Sequence, residues 1–110
     1  LDFIGKRSKA KVILISPSPS YAKLFEARSA KMAPGAEMVM FGKKELVDQY
    51  DAVNRKLCKE LNLDYVDILT PMRGVKDLKS LYVSDGVHLS PEGGRLIADE
   101  LLNYFAEKYR

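Results

Sequence analysis

Apolar residues fall into two patterns along this chain, and each predicts a different element. Residues 12–16 (Val-Ile-Leu-Ile-Ser) are a short, nearly continuous apolar run, preceded by Lys9 and Lys11 and followed by Pro17. A run this short, rich in β-branched residues and bounded by a breaker, predicts a strand buried on both faces, as in a parallel sheet flanked by helices. Pro17 and Pro19 then impose an extended turn. That turn lies at the strand's carboxyl end, where open α/β sheets place their ligands. Over 44–62 the pattern changes. Leu46, Tyr50, Val53, Leu57 and Leu61 recur at helical spacing, which predicts a helix with one apolar stripe, stopped at Asn62. Residues 64–69 (Asp-Tyr-Val-Asp-Ile-Leu) read as a second strand. Strand, long helix and strand make a βαβ unit with a right-handed crossover.

The remaining segments are less regular. Pro71 and Gly74 punctuate residues 70–83, which read as a loop with one short helical turn and with Leu78, Leu81 and Tyr82 tucked beneath it. Residues 91–108 predict the last helix. Ser90 stands at its N-cap, Pro91 takes its first position, and Ile97, Leu101 and Phe105 share its apolar face, broadened by Leu96, Leu102 and Tyr109. Between the first strand and residue 44, Ser20 caps a helix expected to run to Lys31. Pro34-Gly35 interrupts it, and residues 38–41 form a hydrophobic patch. At the start, Leu1, Phe3 and Ile4 read as the last apolar turn of a helix that Gly5 stops. The chain opens on Leu1 rather than methionine, so it reads as continuing from an earlier element.

Composition narrows the classes. A chain of 110 residues suits one domain, 1–110, with a thin margin of core. Net charge is +3, and Lys6, Arg7, Lys9 and Lys11 form the only dense basic run. A nucleic-acid groove needs clustered cations with interleaved aromatics, so no nucleic-acid partner is expected. No apolar run approaches the roughly 18 residues of a membrane span, and no signal peptide is recognisable, so no membrane partner and a cytoplasmic location are expected. Cys58 is the single cysteine. It permits no internal disulfide, and its place in the helical pattern predicts a buried structural thiol.

Candidate chemistry gathers in Ser84-Asp85-Gly86-Val87-His88-Leu89-Ser90-Pro91-Glu92-Gly93, which holds the only histidine. Asp85 precedes His88 by three residues, and Gly86 allows a tight turn between them. A carboxylate bonded to Nδ1 sets the imidazole tautomer and leaves Nε2 to act as a general base. By spacing alone, such a pair is more often a surface pair or a cap contact. One His and one Asp are too few ligands for a zinc site.

The block from Asp85 to Gly93 resembles the last block of the SGNH hydrolases, the GDSL-like lipases and esterases. That block has the form Asp-x-x-His, commonly with Gly between the two, followed by Ser/Thr-Pro-x-Gly at the start of the final helix. The strand Lys11–Ser16 with Pro17-Ser18-Pro19, the helix over 44–62 with Asn54 and Leu57, and the Asp-Tyr-Val-Asp strand also fit. Together they cover residues 11–108, and within the superfamily the isoamyl-acetate-hydrolysing esterases are most similar. The resemblance implies part of a three-layer α/β/α, flavodoxin-like fold with a parallel sheet, holding its last strands and helices. It also implies His88 as general base, Asp85 as its orienter, a small ester as substrate, and no metal or organic cofactor.

In that family the nucleophile is the serine of a Gly-Asp-Ser motif near the N-terminus, and a glycine amide and an asparagine from earlier blocks help form the oxyanion hole. Neither Gly-Asp-Ser nor Gly-x-Asn-Asp occurs in these 110 residues. Ser90 reads as a helix cap, Ser84 lies too near His88 in sequence to face Nε2, and Ser16, Ser18 and Ser20 read as satisfying turn amides. The chain is therefore expected to be the C-terminal part of a hydrolase domain and to be inactive alone. Two strands leave open sheet edges, expected to pair with a missing N-terminal half or with a second copy. The alternative is a non-catalytic α/β module kept for binding or assembly. A phosphate-binding flavodoxin-like domain would need a glycine-rich loop after the first strand, and Pro17-Ser18-Pro19-Ser20 has no glycine.

Overall fold

A computed structural model describes residues 2–24 and 43–110. The patch at residues 38–41 and the helix expected beyond Leu24 lie outside the described residues. The order is α1 (Asp2–Arg7), β1 (Ile13–Ile15), α2 (Lys44–Leu61), β2 (Asp64–Val66), α3 (Leu69–Arg73), a 3-10 turn (Leu78–Leu81) and α4 (Pro91–Lys108). β1 and β2 pair in parallel, with Ile13 opposite Asp64, Leu14 opposite Tyr65 and Ile15 opposite Val66. This is the α/β class read from the sequence, with the crossover helix α2 between two parallel strands.

The core sits between the sheet and the C-terminal elements. Val66, Ile68, Met72, Leu81 and Tyr82 are buried there, and Leu96, Ile97, Leu101 and Tyr104 of α4 pack against them. Met72 is fully buried. Asp64 ties the base of this unit together. It accepts hydrogen bonds from Lys108 Nζ at 2.5 Å and from the Tyr104 hydroxyl, and Lys11 Nζ lies 2.9 Å away. Those three donors, Lys108 first, hold its carboxyl well below the usual carboxylate range. Cys58 is buried, and burial pushes its thiol pKa up, which fits an inert structural thiol.

Several expectations are corrected. α1 runs through Gly5, because Ser8 N–H donates to the Ile4 carbonyl at 2.9 Å and nothing drives Gly5 into a left-handed stop. β1 is shorter than expected and not buried on both faces. Ile15 is exposed, since among the described residues β1 has only β2 as a neighbour. On α4, Phe105 is exposed and Tyr104 meets the core instead. The stripe of α2 is the largest departure. Leu46, Tyr50, Val53 and Leu61 are exposed, Tyr50 by 66%, and the buried residues are Val47 and Cys58.

β2 ends at Val66 rather than running to 69, and the physical reason is capping. Asp67 Oδ1 accepts from Thr70 N–H at 3.0 Å, and its Oδ2 accepts from the Thr70 hydroxyl at 2.6 Å. Ser16 Oγ, arriving from the end of β1, accepts the N–H groups of Ile68 at 2.8 Å and Leu69 at 2.9 Å. These acceptors satisfy amides that a helix start leaves without partners, so the chain turns into α3. Replacing Ser16 with Ala strips the acceptor from two buried amides. We expect a loss of about 2–3 kcal/mol in urea unfolding, with the denaturant slope unchanged. A loss under about 0.5 kcal/mol would mean that water replaces the hydroxyl there.

Candidate active site

The segment from Tyr82 to Ser90 leaves the 3-10 turn and returns to start α4. Tyr82 and Leu89 form an antiparallel bridge. Val83 N–H donates to the His88 carbonyl at 2.9 Å, Gly86 N–H to the Val83 carbonyl at 3.0 Å, and Ser90 N–H to the Leu81 carbonyl at 2.9 Å. Gly86 has φ 72°, a left-handed conformation that glycine adopts without a Cβ penalty. As the sequence predicts, Ser90 caps α4, accepting from Gly93 N–H at 3.2 Å, and Pro91 opens the helix. The Ser90 hydroxyl donates to the Ser80 carbonyl, so the cap also pins the preceding turn.

Inside this loop the Asp85 carboxylate is crowded with donors. Its Oδ1 accepts the N–H groups of Val87 and His88, both at 2.9 Å. Its Oδ2 lies 2.5 Å from His88 Nδ1. The Val87 amide first, then the His88 ring and the His88 amide, hold the Asp85 carboxyl well below its ordinary range. An anionic acceptor at Nδ1 favours the tautomer with its proton on Nδ1 and a lone pair on Nε2. The Asp85 side chain is 10% exposed and the His88 side chain 80% exposed. The acid is thus sheltered, while the imidazole edge is presented to the surface.

The structure thus brings the two sequence-predicted residues together. Three of the serines weighed from the sequence are engaged or placed otherwise. Ser16 is buried and engaged with two amides, Ser90 is the helix cap, and Ser84 is exposed on the same short turn. Among the described residues, no group of three or more His, Cys, Asp or Glu side chains gathers around a metal-sized space.

Sequence reasoning missed the support behind the pair. The loop after β1 reaches it twice: the Tyr82 hydroxyl donates to the Pro19 carbonyl, and Tyr21 N–H donates to the Gly86 carbonyl at 2.8 Å. The proline-bounded loop carried a signal, since its place at a strand's carboxyl end pointed toward the site. The identity of its partners carried none.

Comparison with known proteins shows the family and the fold. The sequence profile of the family GDSL-like Lipase/Acylhydrolase matches residues 9–101, and the chain belongs to that family. Among curated relatives it is 28% identical over 96 residues to GDSL esterase/lipase CPRD49 of Arabidopsis thaliana, covering 87% of this chain and 36% of that protein. It is 30% identical over 105 residues to GDSL esterase/lipase At5g62930 of the same plant, covering 89% of this chain and 41% of that protein. Among solved structures, the esterase domain of the ORF1 protein from the zebrafish ZfL2-1 retrotransposon superposes with a TM-score of 0.65 at 16% identity. That match spans 96% of this chain and 52% of the esterase domain, and it establishes the shared fold. The chain therefore spans about two-fifths of the length of these curated relatives.

Proposed function

We propose that this chain is the C-terminal part of a serine ester hydrolase, contributing the base His88 and its orienting acid Asp85 to a triad whose serine lies outside these 110 residues. The observation that carries the reading is the 2.5 Å contact between Asp85 Oδ2 and His88 Nδ1, made by a sheltered acid and a presented imidazole. In the reaction, the serine hydroxyl attacks the ester carbonyl and gives its proton to His88 Nε2, and Asp85 stabilises the imidazolium. Hydrogen-bond donors from the rest of the domain hold the tetrahedral oxyanion. The bond to the leaving alcohol then breaks as His88 returns the proton to it, and water releases the acid from the serine by the same route. The substrate class is a small ester, of the kind cleaved by the isoamyl-acetate-hydrolysing subgroup.

The surface supports an incomplete domain. Among the described residues β1 pairs only with β2, and Leu46, Tyr50, Val53 and Leu61 of α2 lie exposed. Burying a side chain such as Leu or Val contributes roughly 1.5–3 kcal/mol, so this face is a favourable docking surface for the remainder of the domain.

Purified, the 110-residue chain is expected to hydrolyse p-nitrophenyl butyrate no faster than a His88→Ala control. A chimera in which it replaces the aligned segment of GDSL esterase/lipase At5g62930 is expected to turn the ester over, and to lose that activity with His88→Ala. His88-dependent turnover by the chain alone would place the nucleophile inside it. Turnover by the chimera that survives His88→Ala would remove the base from the proposal.

A further inference from the structure

The Gly86–Val87 peptide unit faces two ways. Its carbonyl accepts from Tyr21 N–H at 2.8 Å, and its N–H donates to Asp85 Oδ1 at 2.9 Å. A peptide unit is planar, so the direction of its carbonyl dictates the direction of its N–H. Whatever holds Tyr21 in place therefore aims the Val87 amide at the Asp85 carboxylate. Asp85 in turn sets the tautomer of His88 through Nδ1.

Tyr21 sits two residues after Pro19, whose carbonyl accepts the Tyr82 hydroxyl. Tyr82 belongs to the core and is 6% exposed. Its backbone also bridges to Leu89, the residue after His88. Tyr82 thus grips both ends of a closed circuit. Its backbone neighbours Leu81 and Val83, bonded to Ser90 N–H and to the His88 carbonyl, tie it to the return limb of the His88 turn. Through its hydroxyl it holds the loop that steers the peptide behind Asp85. Burial pushes its hydroxyl pKa up to about 12, so it remains a donor at neutral pH.

We propose that Tyr82 is a positioning residue for the Asp85–His88 pair, acting through the Pro19–Tyr21 loop and the plane of the Gly86–Val87 peptide. A core tyrosine needs its ring buried, and any acceptor would satisfy its hydroxyl. The distinguishing feature here is that the acceptor belongs to the loop whose Tyr21 N–H, two residues on, binds the turn bearing the acid. This inference rests on the functional reading above only in that His88 is to serve as a base.

The test replaces Tyr82 with Phe, which keeps the ring and deletes the hydroxyl. Tyr65→Phe is the control, because Tyr65 also carries a partly buried hydroxyl, donated to Asp51 away from this loop. The readout is the His88 tautomer from ring 15N shifts near about pH 8, where an ordinary imidazole is neutral. Amide exchange at Tyr21 and Val87 is followed in parallel. Wild type and Tyr65→Phe are expected to hold the Nδ1–H form. Tyr82→Phe is expected to shift His88 toward the Nε2–H form and to speed exchange at both amides by about tenfold. A Tyr82→Phe protein that melts lower, yet keeps the wild-type tautomer and exchange rates, would reduce Tyr82 to a packing residue. Absence of the Nδ1–H preference in wild type would instead overturn the functional reading itself.

Discussion

In the chimeric hydrolase, Asp85→Asn is expected to lower kcat by about 10⁴ while leaving KM nearly unchanged. The size follows from the chemistry of the pair. Asparagine fills the same space, and its carbonyl oxygen can still accept the Val87 and His88 amides that Oδ1 accepts now. Its NH2 group would then face His88 Nδ1, where Asp85 Oδ2 now stands at 2.5 Å. Nδ1 must become an acceptor, the ring proton moves to Nε2, and the base has no lone pair to offer the serine. The corresponding change in a serine protease costs about 10⁴ for this reason, or about 5.5 kcal/mol of transition-state stabilisation. KM holds because Asp85 is sheltered behind the imidazole and has little surface to offer a substrate. Steady-state kinetics on p-nitrophenyl butyrate decides the matter. A loss under tenfold would show that the imidazole works without its acid.

The second large effect concerns a glycine that carries no chemistry. Gly93→Ala is expected to destabilise the chain by about 3 kcal/mol or more, a fall in melting temperature of roughly 10–20 °C. A Cβ at Gly93 would stand 2.2 Å from the Leu81 carbonyl oxygen, 3.0 Å from Leu89 Cδ2 and 3.1 Å from the Leu81 carbonyl carbon. The nearest obstacle is backbone, so no rotamer change relieves it. The Leu81 carbonyl already accepts Ser90 N–H at 2.9 Å, so pushing it away also breaks the bond that closes the His88 turn. Gly94→Ala provides the comparison within the same helix. Nothing lies within 4 Å of its Cβ position, and alanine there is expected to stabilise by about 0.5–1 kcal/mol. Differential scanning calorimetry of the two variants separates close approach from helix propensity. Equal melting temperatures would mean that α4 can slide away from the 3-10 turn at little cost.

Gly93 also gives a physical meaning to the Ser-Pro-x-Gly pattern at the start of the last helix. Serine caps, proline opens the helix, and glycine lets its first turn approach the backbone of the 3-10 turn that the loop leaves from. The need for glycine comes from the Leu81 backbone packed against the helix, whereas the cap and the proline are local, which is why they were legible. The same holds for Asp85-Gly86-Val87-His88, where a short side chain and a left-handed glycine decide the turn within four residues. α2 and α4 were also legible in extent, because helical periodicity needs no knowledge of neighbours.

What failed to read were directions and long-range partners. At about 100° per residue, Leu46, Tyr50, Val53, Leu57 and Leu61 span an arc of about 80° on α2, and Val47 and Cys58 flank it. Periodicity finds that arc, but only the packing shows that the buried residues, Val47 and Cys58, stand on its flank while Leu46, Tyr50, Val53 and Leu61 lie exposed. The end of β2 was misjudged because Ser16, more than fifty residues upstream, supplies the acceptor that starts α3.

From its sequence alone, this protein shows its α/β class, its crossover helix, its capped last helix and an acid placed three residues before its one histidine, because each depends on neighbours in the chain. The tertiary structure alone decided that the acid is sheltered and the imidazole presented, that Tyr82 and the loop after β1 brace them, and that Leu46, Tyr50, Val53 and Leu61 of α2 lie exposed. Those outcomes depend on hydrogen bonds and contacts between residues far apart in sequence, and no local spacing encodes them.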